Sequence, residues 1–235
     1  MGLEPRSNLD FFRRRAPVTF LREFFKLSLN LFWPVSCPIC GRLGTVLCEG
    51  CLTPLFRMQL PRCLSCGGSV PCPLHPNSPE IHSGALYAGH MKILIHQLKY
   101  KRFASLGPRL GWGLGQVFTA PVADLLLPVP LHLGSPRRYN QAEGIALGLS
   151  RAWGLEVWNA AWWMRRVEAR VNLKRSERRA LPSDVFEVDG RLKGLRVLLV
   201  DDVSTTGTTL SRLASACRKK GAVVVGAYVL AHVPA

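Results

Sequence analysis

Read as it stands, the sequence shows no secretion signal and no apolar run long enough to cross a bilayer. Its most apolar N-terminal stretch, Val18 to Trp33, is interrupted by Arg22, Glu23 and Lys26. That is too polar for a signal core and shorter than the ~20 apolar residues a membrane-spanning helix needs. Acidic residues are scarce: 15 against 31 lysines and arginines, a formal net charge of +16. The excess speaks of partners rather than fold, and points to nucleic acid, anionic lipid or phosphorylated ligands. Cysteine is nearly confined to one segment, with seven of eight lying between Cys37 and Cys72. Without a route to an oxidising compartment, disulfides are not expected. A cytoplasmic protein with reduced, metal-binding cysteines is.

What is present centres on Arg196 to Leu210, RVLLVDDVSTTGTTL. Val197-Leu198-Leu199-Val200 is a short apolar run bounded by charge, and reads as a strand buried on both faces. Asp201 and Asp202 fall where that strand should end. Ser204, Thr205, Thr206, Gly207, Thr208 and Thr209 follow, and then Leu210, Leu213, Ala214 and Cys217 recur at helical spacing. Backbone N–H groups at a helix start have no partners of their own, and the helix dipole favours an anion there. Gly207 permits close approach, the hydroxyls add donors, and the two carboxylates suit the adjacent hydroxyls of a ribose. The stretch therefore reads as a ribose 5-phosphate site. A plain capped helix needs one hydroxyl or acid, whereas five hydroxyls and two acids crowd these positions. The loop has no lysine, which excludes a nucleoside-triphosphate loop ending in Gly-Lys-Ser/Thr.

The cysteines form pairs: Cys37 with Cys40, Cys48 with Cys51, Cys63 with Cys66, and Cys72 with His75. Four pairs make two closed tetrahedral zinc sites of structural type. The simplest grouping is sequential, and a cross-braced grouping remains open. Residues 37–76 are too few to build a core, so the metal must supply the folding energy. Cys217 lies apart and is expected to pack as a small apolar residue.

Along the rest of the chain, residues 1–36 read as a basic leader and an amphipathic helix over Val18–Trp33. That helix packs on the main domain or lies on an anionic membrane surface. Asn77–Ser83 reads as a linker and Gly84–Gly89 as a strand. Met91–Tyr100 is a helix with Lys99 near its negative end, and Ser105–Phe118 is another, whose glycines imply close helix–sheet contact. Leu125–Leu131 is a buried strand stopped by Pro128 and Pro130. Arg137 and Arg138 open a helix running through Leu149, and two guanidiniums can grip oxyanions. Val157–Met164 reads as a strand with its tryptophans in the core. Arg165–Arg179 carries seven basic residues and reads as a loop. Phe186 and Val188 begin a hairpin turned by Asp189-Gly190, and Ala222–Leu230 is a last buried strand.

VLLVDDVSTTGTTL closely resembles the phosphoribosyl-pyrophosphate (PRPP) motif of type I phosphoribosyltransferases. Together with the cysteine segment, the chain resembles the ComF family, linked to bacterial competence and DNA uptake. The resemblance implies an α/β fold: a type I phosphoribosyltransferase-like parallel sheet with flanking helices over 83–235, behind a double zinc ribbon at 37–76. His75 stands where the family usually has cysteine. It implies pyrophosphate held by Pro128, Val129 and Pro130, with Mg²⁺ riding on it. Arg137 to Gln141 resembles the family's Arg-Gly-Phe-Asn-Gln motif, Arg138 standing for the glycine and Tyr139 for the phenylalanine. The basic loop corresponds to one that closes over PRPP. Arg170 and Leu181 stand there in place of the family's glutamine and asparagine.

Two functions compete. One is a DNA-uptake protein that keeps a PRPP site and binds single-stranded DNA, with Lys174, Arg175, Arg178 and Arg179 as contacts and competence-machinery proteins as partners. The other is an active phosphoribosyltransferase of nucleotide metabolism with an unidentified acceptor. No residue stands out as its acid or base.

Overall fold

The computed structural model describes residues 35–100, 103–137, 139–164 and 184–234. The expected helix over Val18–Trp33, Arg138, and the basic loop with Lys174, Arg175, Arg178 and Arg179 lie outside the described residues. The chain divides into two compact units, Met1–Val46 and Leu47–Ala235.

In the first unit, Ser36 bridges Leu43 in antiparallel fashion. The N–H of Gly41 donates to the Cys37 carbonyl at 2.8 Å, and Gly41 takes φ 75°, a left-handed turn that favours glycine. This is the tight turn a Cys-x-x-Cys-Gly knuckle needs.

The second unit is built on a six-stranded sheet. Its strands are β1 (Arg62–Cys63), β2 (Glu80–Leu86), β3 (Leu125–Pro128), β4 (Glu156–Val157), β7 (Arg196–Ser204) and β8 (Val223–His232). They run in the order β1-β2-β8-β7-β3-β4. Every neighbouring pair is parallel except β1 with β2. A separate antiparallel pair joins β5 (Ala161–Trp163) to β6 (Phe186–Val188). The helices are α1 (Glu49–Leu52), α2 (Gly89–Tyr100), α3 (Leu106–Val117), α4 (Gln141–Trp153) and α5 (Thr208–Lys219).

Val197 to Val200 are all buried, as a central strand covered on both faces requires. Leu125, Leu127, Val197 and Leu199 share one cluster with Leu210, Leu213, Ala214 and Cys217 of α5. The alternate residues Leu126, Leu198 and Val200 are equally buried but belong to the opposite face. Burial pushes the Cys217 thiol up to about 12, so it is an inert packing group as expected.

Several expectations need correction. β7 does not end before Asp201 but continues through Ser204, because β8 keeps pairing with it as far as His232. β2 begins at Glu80, inside the expected linker, because Ile81 and Ser83 are buried and pair with β8. Gly107, Gly111 and Gly115 of α3 meet α4 rather than the sheet, and Gly113 meets the side chains of Leu52 and Phe56. A Cβ at Gly111 would lie 2.0 Å from the Ile145 carbonyl oxygen, and one at Gly148 would lie 2.2 Å from that of Pro108. Only small residues let α3 and α4 approach so closely. Asp189-Gly190 does not turn a hairpin: Asp189 caps a short 3₁₀ turn over Gly190–Leu192, and β6 pairs with β5. The Val157–Met164 strand is broken into β4 and β5, and Trp162 is exposed.

Candidate functional site

The parallel strands end on one edge, where ligands bind in sheets of this kind. β7 delivers Asp201 and Asp202 there. Asp202 is buried and paired with Lys99 of α2, Oδ2 to Nζ 2.8 Å. Asp201 Oδ1 accepts the Asp202 N–H at 2.8 Å. Burial and the neighbouring Asp202 carboxylate push the Asp201 carboxyl up to about 7, against the pull of Lys99 and Arg137. Burial draws the Lys99 ammonium down, but the charge and hydrogen bond of Asp202, with Asp201 behind it, outweigh that and raise it.

Between this acid pair and the loop after β3 lies a cavity of about 140 Å³. Lys99, Val129, Pro130, His132, Arg137, Gln141, Trp163, Asp201 and Asp202 line it. Its far wall is fastened from two sides. Asn140 caps α4, accepting from the Ala142 N–H, and its Nδ2 donates to the Val129 carbonyl at 2.9 Å. Trp163 Nε1 donates to the Pro130 carbonyl at 2.8 Å. Arg137 is held by Ser135 Oγ and Gln141 Oε1. Tyr139 donates its hydroxyl to the Leu98 carbonyl, tying this loop to the end of α2 that carries Lys99. Two buried atoms on the cavity wall, Gln141 Nε2 and His132 Nε2, have no hydrogen-bond partner among the described residues. An unpartnered buried donor is costly, and a bound ligand would satisfy it.

The hydroxyl loop follows the acid pair. Gly207 caps α5 in the left-handed region at φ 72°, and the Thr206 and Thr208 hydroxyls lie 2.8 Å apart. So the structure gathers Val129, Pro130, Arg137, Asp201 and Asp202 around one cavity, with Thr205 to Thr209 beside it in the chain but not among its lining residues. Sequence reasoning missed Lys99, His132 and Gln141, and took Trp163 for core alone. A signal for Lys99 existed: it lies four residues after buried Ile95, on the inward side of α2.

Among the described residues, two groups can hold a metal ion: Cys37, Cys40, Cys48 and Cys51, and Cys63, Cys66, Cys72 and His75. Both are the sequential grouping, and in the second, which lies wholly within Leu47–Ala235, the ligand atoms are within 4.8 Å of one another. In the second, Cys66 Sγ is 3.6 Å from Cys72 Sγ, and Cys72 Sγ is 3.6 Å from His75 Nδ1. Tetrahedral zinc with bonds of about 2.3 Å to sulfur sets ligand atoms about 3.8 Å apart. The donor sets and spacings fit zinc.

The phosphoribosyl transferase domain family matches residues 168–235. A DNA utilization protein YhgH of Escherichia coli O157:H7 is 28% identical over 208 residues, covering 83% of this chain and 88% of that protein. Competence protein F of Haemophilus influenzae is 34% identical over 117 residues, 46% of this chain and 50% of that one. A solved structure of the allosteric regulatory enzyme of purine biosynthesis aligns with a TM-score of 0.39 at 23% identity, over 54% of this chain and 26% of that one. The protein has a phosphoribosyltransferase-type α/β domain, with cysteine clusters ahead of and beside its sheet. Its similarity to a DNA utilization protein and to a competence protein agrees with the family resemblance read from its motifs. No helix among the described residues is long and apolar enough to cross a membrane.

Proposed function

We propose that the cavity and the Ser204–Thr209 loop bind PRPP with Mg²⁺, and that the protein acts in DNA uptake or utilisation and binds single-stranded DNA. The observation that carries the reading is the meeting of Asp201, Asp202, Lys99 and Arg137 around one small cavity, directly upstream in the chain of a hydroxyl loop capped by Gly207. Asp201 and Asp202 accept the ribose hydroxyls. Ser204, Thr205, Thr206, Gly207, Thr208 and Thr209 hold the 5-phosphate. Pro128, Val129, Pro130, Arg137 and Arg138 bind pyrophosphate, joined by Lys99 and by Gln141 Nε2, which has no partner among the described residues. Mg²⁺ would be carried on the pyrophosphate beside Asp201 and Asp202, and would supply positive charge against it there. The names of the relatives, a DNA utilization protein and a competence protein, support the DNA role.

Zinc in both tetrads completes the reading. Purified protein should carry close to two zinc ions per chain by elemental analysis. Protein with neither ion and with oxidised cysteines would remove the metal role.

The DNA arm is tested by salt. The log–log slope of affinity for single strands should be roughly −0.7 per phosphate contact. Charge reversal at Lys174, Arg175, Arg178 and Arg179 together should lower affinity and flatten that slope with zinc content unchanged. A salt-independent affinity, or a variant that binds like the parent, would assign the +16 charge to another partner.

One observation favours the second reading, an active transferase. An Asp201 carboxyl titrating at about 7 is matched to taking a proton at neutral pH. Pyrophosphate release from PRPP in the presence of ammonia or free nucleobases would establish turnover.

A further inference from the structure

We infer that the second cysteine turn, Cys63–Gly67, is part of the phosphate cradle, with Gly67 and Ser65 as positioning residues that make ribose 5-phosphate affinity depend on the metal. This rests on the PRPP reading above. Two features of the turn bear on it.

The first is direct backbone contact. Gly67 sits at φ +73°, and a Cβ there would fall 2.3 Å from the carbonyl oxygen of Thr206 and 2.9 Å from its carbonyl carbon. From the other side, a Cβ at Gly207 would lie 3.6 Å from the Cα of Gly67. The Thr206–Gly207 peptide therefore lies against the cysteine turn with its carbonyl aimed at Gly67. A trans peptide is planar, with its N–H opposite its C=O. The Gly207 N–H is thus held facing away from the turn. It is one of the N–H groups at the start of α5 for which the helix itself supplies no acceptor, the kind a phosphate takes.

The second is a hydrogen bond. Ser211, in the first turn of α5, donates Oγ to the Ser65 carbonyl at 3.1 Å. Ser65 lies between the ligand candidates Cys63 and Cys66, and neighbouring Leu64 is buried in the α5 core cluster. The same turn also closes on itself, the Gly67 N–H donating to the Cys63 carbonyl at 2.7 Å. A metal held by Cys63, Cys66, Cys72 and His75 fixes the shape of this turn. The turn in turn fixes the peptide and the helix start that receive the phosphate. Coupling of this kind is reciprocal: a phosphomonoester in the loop should tighten the metal.

The test uses the full chain loaded with zinc, titrated separately with ribose 5-phosphate and with Mg²⁺–pyrophosphate. In Gly67→Ala, ribose 5-phosphate affinity should fall about tenfold while the metal stays near two ions and pyrophosphate affinity changes less than twofold. A general loss of structure would lower both. Ser211→Ala, which keeps the helix and removes one bond, should lose ribose 5-phosphate affinity two- to threefold with the same selectivity. If Gly67→Ala does not fold, this variant decides, together with parent protein stripped of metal, which should also lose ribose 5-phosphate first. Parent protein that binds ribose 5-phosphate, with variants and stripped protein binding it equally well, would overturn the inference and leave the PRPP reading standing. Parent protein that binds neither ribose 5-phosphate nor PRPP would overturn both.

Discussion

Lys99→Met is expected to destabilise the protein by about 3 kcal/mol at pH 8, the low end for breaking a buried ion pair. The low end applies because the Lys99 side chain keeps 23% of its exposure while Asp202 keeps 10%. Removing the ammonium leaves two adjacent carboxylates in the cavity wall, with Arg137 the remaining nearby cation among the described residues. The cost should depend on pH. Asp201 is raised from 3.8 to about 7, so the folded state binds its proton more tightly than the unfolded state does. Stability therefore falls as pH rises from about 4 to about 7, and levels off above. Without Lys99, whose charge pulls against that rise, the Asp201 carboxyl rises further, so its protonation relieves more of the penalty. Urea unfolding should show a gap between parent and variant that is widest at pH 8 and shrinks by pH 5. An equally stable variant, or a gap constant across that range, would contradict the assignment of Lys99 as counter-ion to the acid pair.

Asp201→Asn should do the opposite to stability and damage binding. It removes a charge repelled by Asp202 and disfavoured by burial, and asparagine can still accept the Asp202 N–H through its side-chain oxygen. Above pH 7 the variant should be at least as stable as the parent. Yet a charge-assisted bond to a ribose hydroxyl is worth about 1.5–3 kcal/mol, so PRPP affinity should drop at least about tenfold. Adding Asp202→Asn should deepen that loss and strip Lys99 of its partner. A residue whose replacement stabilises the fold and weakens the ligand is kept for the ligand. Asp201→Asn binding PRPP like the parent would show that the ribose does not sit on this carboxylate.

The legible parts of the molecule were those fixed by short-range pattern. The apolar run at Val197–Val200 and the helical spacing from Leu210 to Cys217 both stand, because burial on a sheet and on one helix face imposes those periods directly. The cysteine pairs stand as local groups, since ligands a few residues apart meet through a single turn. What sequence did not disclose came from partners distant in the chain. Lys99 reads from its own helix as a charge complementing the dipole, and only β7 shows it to be a buried counter-ion. Gly111 reads as close approach to the sheet, but its neighbour is Ile145 of α4, and that depends on how α3 and α4 dock. Asp189-Gly190 has hairpin composition, yet β6 found β5 instead. The contact of Gly67 with Thr206 joins two motifs that each read as complete on their own.

The central claim is that the acid pair, Lys99, Arg137 and the hydroxyl loop bind PRPP. Calorimetric titration of the zinc-loaded full chain with Mg²⁺–PRPP at pH 7 tests it most directly. Run in buffers of different ionisation enthalpy, it should show one site per chain and net proton release, as Asp201, half-protonated near pH 7, gives up its proton to accept the ribose. Absence of binding, or binding unchanged when Asp201 and Asp202 are both asparagine, would contradict it.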